Sequence, residues 1–221
     1  MFEYGQCFNG DVDHLEQGFR IAAALWGLKD PENWTQQAKN VDFFDIKGDV
    51  ERLVEACGRR ISFGASARSE FHPGQSADIY VDDNVVGTVG RISPQLQRKL
   101  NVAGDVFVFE CDVEPLLLKR QRRHNEVSRY PSIRRDLALV VNQAVSSESV
   151  EKLIRETVGE LLVEFRLFDV YKGKGIDSID KSLGVGLIFQ DPAKTLTDSD
   201  VGALVEKAVV ALEQEVGARL R

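Results

Sequence analysis

From Arg135 to Leu220 the spacing of apolar residues keeps switching between every second position and every third or fourth, and this alternation restricts the available folds more than any other feature. It spells a strand over Arg135 to Val141, a helix over Ser147 to Val158, strands over Leu162 to Lys172 and Ser182 to Gln190, a helix over Asp198 to Val216, and a short strand over Ala218 to Leu220. The second helix is the best marked. Val201, Leu204, Val205, Ala208, Val209, Leu212 and Val216 form one stripe, Thr197 and Asp200 stand in capping-box positions, and Gly217 lies just beyond its end. This order is the split βαβ, ferredoxin-like plan, in which both helices cover one face of an antiparallel sheet and the other face stays open. Leu137, Leu139, Val141, Leu183, Val185, Leu187 and Phe189 are expected under the helices, which leaves Ala138, Ser182, Gly184 and Gly186 on the open face.

Chemistry concentrates in Phe165 to Gly175. Strand alternation there puts Asp169 and Tyr171 on one face and Phe168 and Val170 on the other. A carboxylate beside an aromatic ring suits an unstacked guanine, because the acid accepts from the adjacent N–H donors of the Watson–Crick edge while the ring supplies a stacking surface. The small open-face residues leave room for a planar ligand, and Arg134, Lys172 and Lys174 are candidate phosphate contacts. The same residues also fit an ordinary edge strand with a solvated Asp and an amphipathic Tyr.

Residues 1–118 read as mostly antiparallel sheet with a few helices. Ile21, Ala23 and Leu25 alternate onto one face; a helix opening at Asp42 carries Ile46, Val50, Leu53, Val54 and Cys57 on one side and stops at Gly58. Ile61 to Ala67 reads as a strand, Pro73-Gly74 predicts a turn, and a hairpin joins Ala77–Val81 to Val85–Ile92 across Asp82-Asp83-Asn84. Ser93-Pro94 starts a short helix, and a strand follows with Phe107, Phe109 and Cys111 facing one way. No catalytic constellation emerges. His72 has no nucleophile motif near it, Asp82 and Asp83 fill turn positions, and Cys7, Cys57 and Cys111 stand too far apart in sequence for a zinc pattern. A net charge of -7 argues against a general nucleic-acid binder. Its distribution is uneven, since Lys119, Arg120, Arg122, Arg123, Arg129, Arg134 and Arg135 outnumber the single acid Glu126 in their span, in what reads as a basic linker over 119–128.

Several motifs carry a family resemblance. Arg129-Tyr130-Pro131-Ser132-Ile133-Arg134-Arg135-Asp136-Leu137-Ala138, Leu167-Phe168-Asp169-Val170-Tyr171-Lys172-Gly173-Lys174-Gly175 and Lys181-Ser182-Leu183 resemble the ferredoxin-fold anticodon-binding domain that ends the bacterial phenylalanyl-tRNA synthetase beta subunit. Phe43-Phe44-Asp45-Ile46-Lys47-Gly48-Asp49 and Phe71-His72-Pro73-Gly74-Gln75-Ser76-Ala77 resemble the preceding class II synthetase-like core, which lacks catalytic residues. The resemblance implies an α+β chain: a partial synthetase-like antiparallel sheet with helices over 1–118, a basic linker, and a ferredoxin-like βαββαβ domain over 129–221. It implies that Ala138, Asp169, Tyr171 and Ser182 read the guanine at the first anticodon position of phenylalanine tRNA, with Tyr171 stacking, Asp169 accepting from the edge, and Ala138 and Ser182 shaping the floor. The implied partners are that tRNA and the synthetase alpha subunit, in a cytoplasmic heterotetramer of two alpha and two beta chains with no membrane association. Amino-acid activation with ATP and Mg²⁺ belongs to the alpha subunit, so no catalytic residue, metal site or bound cofactor is expected in this chain. Family subunits are much longer, and Met1 to Phe8 already reads as strand, so a C-terminal piece is expected. Two other readings stay open on sequence: a ferredoxin-like sensor of a small metabolite on a structural scaffold, or a purely architectural chain.

Overall fold

The computed structural model describes residues 1–11, 13–118 and 128–221, so the expected linker except Ser128, with Lys119, Arg120, Arg122, Arg123 and Glu126, lies outside the described residues. The chain divides into two compact units, Met1–Arg123 and His124–Arg221.

The first unit contains β1 (Phe2–Asn9), β2 (Glu16–Trp26), α1 (Phe43–Ala56), β3 (Ile61–Ala65), β4 (Phe71–Val81), β5 (Asn84–Ile92), α2 (Pro94–Lys99), β6 (Val106–Asp112) and α3 (Glu114–Leu117). Its strands form a six-stranded antiparallel sheet in the order β1-β2-β6-β5-β4-β3. Helix α1 starts where Asp42 accepts from the Phe44 and Asp45 amides while the Asp45 carboxylate accepts from the Asp42 amide. Its buried residues Ile46, Val50 and Val54 recur every fourth position and join Ile79, Val81, Val89, Phe107, Phe109 and Cys111 in one core. Each such burial contributes about 1.5–3 kcal/mol, which is what holds the helix to the sheet.

The turn expected at Pro73-Gly74 is absent. The chain runs on as β4, and the segment from Phe71 to Ser76 faces the shorter segment from Gly90 to Ile92, so the surplus residues bulge out of the ladder. Proline, which has no N–H to offer, is tolerated at such a bulge. His72 serves the bulge itself, its Nδ1 accepting from the Gly74 amide at 3.1 Å. The hairpin between β4 and β5 is tighter than expected: Val81 pairs with Asn84, and Asp82 and Asp83 turn the chain with φ of 49° and 64°.

The second unit contains β7 (Ile133–Asn142), α4 (Ser147–Val158), a 3-10 turn (Gly159–Leu161), β8 (Leu162–Tyr171), β9 (Asp180–Phe189), α5 (Asp198–Val216) and β10 (Arg219–Leu220). The four strands are antiparallel in the order β10-β7-β9-β8, the ferredoxin-like arrangement. Val150, Ile154 and Val158 of α4 and Val201, Ala208 and Leu212 of α5 share one core with Leu139, Val141, Leu183, Val185, Leu187 and Phe189, so both helices lie on the same face of the sheet. Helix α5 is fixed at both ends. The Thr197 amide and hydroxyl donate to Asp200, which holds that carboxyl below the usual carboxylate range, and Gly217 closes the helix at φ 64°. No helix among the described residues is long and apolar enough to cross a membrane.

The tight hairpin yields a contrast between its two aspartates. Asp82 is anchored by an ion pair with Arg59, whose side chain is only 7% exposed, whereas Asp83 adopts a left-handed conformation that favours glycine. Asp83→Gly is expected to stabilise the protein by about 0.5–1 kcal/mol in urea denaturation, whereas Asp82→Gly loses about 2 kcal/mol because it strands a largely buried guanidinium. Equal effects at the two positions would show that the Arg59 pair carries no weight.

Candidate nucleic-acid interface

Strand β9 orients every candidate residue in the second unit. Leu183, Val185 and Leu187 point into the core beneath the helices, so Ser182, Gly184 and Gly186 face the other way. Across the ladders, Gly184 pairs with Ala138 on β7 and Asp169 on β8, and Ser182 pairs with Val140 and Tyr171. Ala138, Asp169, Tyr171 and Ser182 therefore occupy adjoining rows of the face the helices leave uncovered. Asp169 is exposed, and its carboxylate has no hydrogen-bond or ion-pair partner among the described residues. Tyr171 is 37% exposed; its hydroxyl donates to the Lys174 carbonyl at 3.3 Å, and the Arg221 guanidinium lies 5.6 Å from its ring centre. Ser182 is buried, so it can contribute shape to the floor but little direct contact.

The expectation for Phe168 is overturned. Leu167 pairs with Val185 and Asp169 with Gly184, so Phe168 is an extra residue at a β-bulge. A Cβ built on Gly184 would lie 2.8 Å from Phe168 Cε2 and 3.0 Å from Asp169 Cβ, so both side chains sit over that glycine on the open face. The bulge also resets the phase of the strand. Without it, the alternation running through Phe165 and Leu167 toward the helix side would carry Asp169 and Tyr171 inward with them.

The glycines do not leave open floor for a ligand, as the sequence had suggested. Gly184 seats Phe168, and Gly186 seats an ion pair: a Cβ there would meet Asp136 Oδ1 at 3.1 Å and Arg134 Nε at 3.2 Å. Arg134 donates to Asp136 through Nε at 2.7 Å and Nη2 at 3.3 Å, and its guanidinium lies 5.7 Å from the Phe168 ring centre. Of the expected phosphate contacts, Arg134 is thus on the open face with its charge already shared. Lys174 lies at the margin of that face through its carbonyl bond to Tyr171. Lys172 alternates away from Tyr171, donates to Gln143 Oε1 at 3.3 Å, and neighbours Lys181, whose pKa burial lowers first and Lys172 second. Sequence reasoning missed Phe168, Asp136 and Arg221. The one available signal was that Gly184 and Gly186, alternating with core residues, mark where neighbouring side chains must cross the sheet.

Among its described residues, the first unit brings together no catalytic or metal-binding group. A cavity of about 550 Å³ opens on its sheet, with Phe2, Ala22, Ala24, Phe71 and Val108 among its lining, but its main charges are mutually satisfied: Arg20 meets Asp112 at 2.9 Å and Glu110 at 3.5 Å. Cys111, at the same cavity, has its thiol pushed up to about 12 by burial and then by Asp112 and Glu110, which disfavours the thiolate a nucleophile needs. No group of three or more His, Cys, Asp or Glu suited to a metal occurs among the described residues.

Comparison with known proteins gives a consistent result for both units. Residues 1–113 match the family described as "Phenylalanyl tRNA synthetase beta chain CLM domain", and residues 128–221 match "Ferredoxin-fold anticodon binding domain". The "Phenylalanine–tRNA ligase beta subunit" of Pseudomonas fluorescens strain Pf0-1 is 41% identical over the whole of this chain, and those of Pseudomonas syringae pv. tomato and Xanthomonas campestris pv. campestris strain 8004 are 42% identical. The chain spans 28% of the length of each of these relatives. A solved pyrrolysyl-tRNA synthetase from Desulfitobacterium hafniense aligns with 53% of this chain and 39% of its own, at 14% identity and a TM-score of 0.36, a likeness too weak to bear on the fold.

The crowding over Gly184 is directly testable. Gly184→Ala should cost about 1–2 kcal/mol, since the new methyl displaces Phe168 and presses on Asp169. In a Phe168→Ala background the same change should cost markedly less, because the ring it collides with is gone. Additive losses in denaturation of the single and double variants would place the Phe168 ring elsewhere.

Proposed function

Since this chain belongs to the phenylalanyl-tRNA synthetase beta chain family, we propose that its open sheet face reads the anticodon of phenylalanine tRNA on behalf of phenylalanine–tRNA ligase. Guanine at the first anticodon position lies over the rows of Ala138, Asp169, Tyr171 and Ser182. The Asp169 carboxylate accepts from the adjacent N–H donors of the base, and the half-exposed Tyr171 ring stacks on it with Arg221 alongside. Ala138 and Ser182 are short enough to let the base settle close to the backbone. The observation that carries this reading is the shared, helix-free face of these four side chains, with an exposed carboxylate that no described protein group engages.

The chain itself is read as non-catalytic. Residues 1–118 serve as an inert core for subunit assembly, 119–128 tether the second domain, and 129–221 bind the anticodon. Amino-acid activation, with its ATP and Mg²⁺, falls to the alpha subunit in a cytoplasmic heterotetramer of two alpha and two beta chains. Membership of this family favours an RNA ligand over a small metabolite on the ferredoxin-like sheet.

The full chain titrated with a fluorescent anticodon stem-loop at low salt tests the reading. Replacing the first-position guanine by inosine, which lacks the exocyclic amine, is expected to weaken binding about tenfold, because it removes one donor to Asp169. Asp169→Asn should bind guanine about tenfold more weakly and lose the discrimination against inosine. Equal affinity of the unaltered protein for the two RNAs would refute the assignment of Asp169 as the base reader.

A further inference from the structure

We infer that Lys172 and Lys181, both held by Gln143, form a phosphate site that grips the RNA backbone where it passes the end of β8 and β9; this takes from the reading above only that RNA is the ligand. The last pair of the β8–β9 ladder is Tyr171 with Ser182, and the next positions along the two strands are Lys172 and Lys181. Lys181 pairs on its other side with the core residue Val141, so it lies on the helix side of the sheet, opposite the base-reading residues. Gln143 fixes the two ammonium groups. Its amide donates to the Ile179 carbonyl at 2.9 Å and its Nε2 to the Ser178 carbonyl at 2.6 Å, while its Oε1 accepts from Lys172 at 3.3 Å and its carbonyl from Lys181 at 3.1 Å.

Two cations drawn to one neutral residue repel each other, and like charges at facing positions of a sheet destabilise it. Nothing in the fold offsets this. The ion pairs of the second unit all use arginines, and neither lysine has a carboxylate partner among the described residues. Burial lowers the pKa of Lys181 first and Lys172 lowers it second, with no acid acting the other way. Each ammonium carries three N–H donors and spends one on Gln143, so both keep donors free. A phosphate answers that arrangement, because its oxygens accept from both lysines at once and its charge removes their repulsion. The RNA backbone brings one to this place. The lysines stand one residue, about 3.4 Å, beyond the row of Tyr171, so a nucleotide stacked on that ring has an adjoining phosphate within reach of two long side chains.

The test follows binding of the full chain to the anticodon stem-loop over a range of salt. Lys172→Gln combined with Lys181→Gln is expected to weaken binding about tenfold at low salt and to flatten the plot of log K against log salt by about 0.7, the share of one phosphate on a single strand. Lys152→Gln with Lys207→Gln, which removes the same charge from α4 and α5, should leave the slope unchanged. Equal flattening by the two double variants would overturn the site in favour of a general field. Guanine and inosine RNAs should weaken alike, because a phosphate carries no sequence information. Without RNA, the urea midpoint of the Lys172 and Lys181 double variant should equal or exceed that of the unaltered chain, and a lower one would overturn the account of the pair as unfavourable. Inorganic phosphate, compared with chloride at matched ionic strength, separates the sources: if it raises the midpoint of the unaltered chain alone while the RNA slope stays the same in the variant, the RNA assignment is overturned. An unchanged slope and affinity would remove the site even where guanine is still told from inosine, whereas a flattened slope in a protein blind to that difference would sink only the base assignment.

Discussion

The working geometry of the second unit depends on how β8 is registered against β9. From Glu164 to Leu167 the two strands keep step, with Phe165 and Leu167 opposite the core residues Leu187 and Val185. One surplus residue, Phe168, then shifts the phase, and beyond it the residues that would have gone inward come out. A carboxylate beneath two helices would require a buried partner, and none of the core residues on that side supplies one. The bulge removes that cost and presents Asp169 and Tyr171 on the open face. Gly184 makes the bulge possible, since any side chain there would occupy the space the displaced ring takes.

Much of the positive charge on this face is paired with neighbouring carboxylates. Arg134 is matched by Asp136, Arg166 by Glu164, and Arg219 by Asp180. Such pairs sit on exposed strands, contribute little to stability, and leave only a small net field to draw in phosphates. On a chain of net charge -7, a face paired off in this way offers little free positive charge. Asp169 stands apart as an acid without a cation to answer it among the described residues, which is the condition under which a carboxylate is free to accept from a ligand.

The first unit shows the complementary design. Its polar groups are mostly spent on one another: Arg20 on Asp112 and Glu110, Thr88 on Asp78 at 3.1 Å, and the Phe19 amide on Glu114 at 2.8 Å, whose carboxyl that backbone bond holds below its usual range. Side chains committed in this way hold a sheet together and leave few groups to act on a substrate. The beta chain family match over residues 1–113 agrees with the resemblance carried by the motifs at Phe43–Asp49 and Phe71–Ala77.

The sequence by itself determined the α+β class, the βαββαβ order, the family, the caps of α1 and α5 and nearly every core position, because periodicity and capping are interactions between residues a few places apart. It also paired Asp169 with Tyr171 on one face, since that is simple alternation. It misjudged Pro73-Gly74, Phe168 and the role of Gly184 and Gly186, because bulges depend on what the partner strand does opposite them. Whether the acid and the ring faced outward or inward was decided only by the tertiary structure, in the pairing of β8 with β9. One unpaired residue there reverses the phase of the strand, and no local pattern along β8 records it.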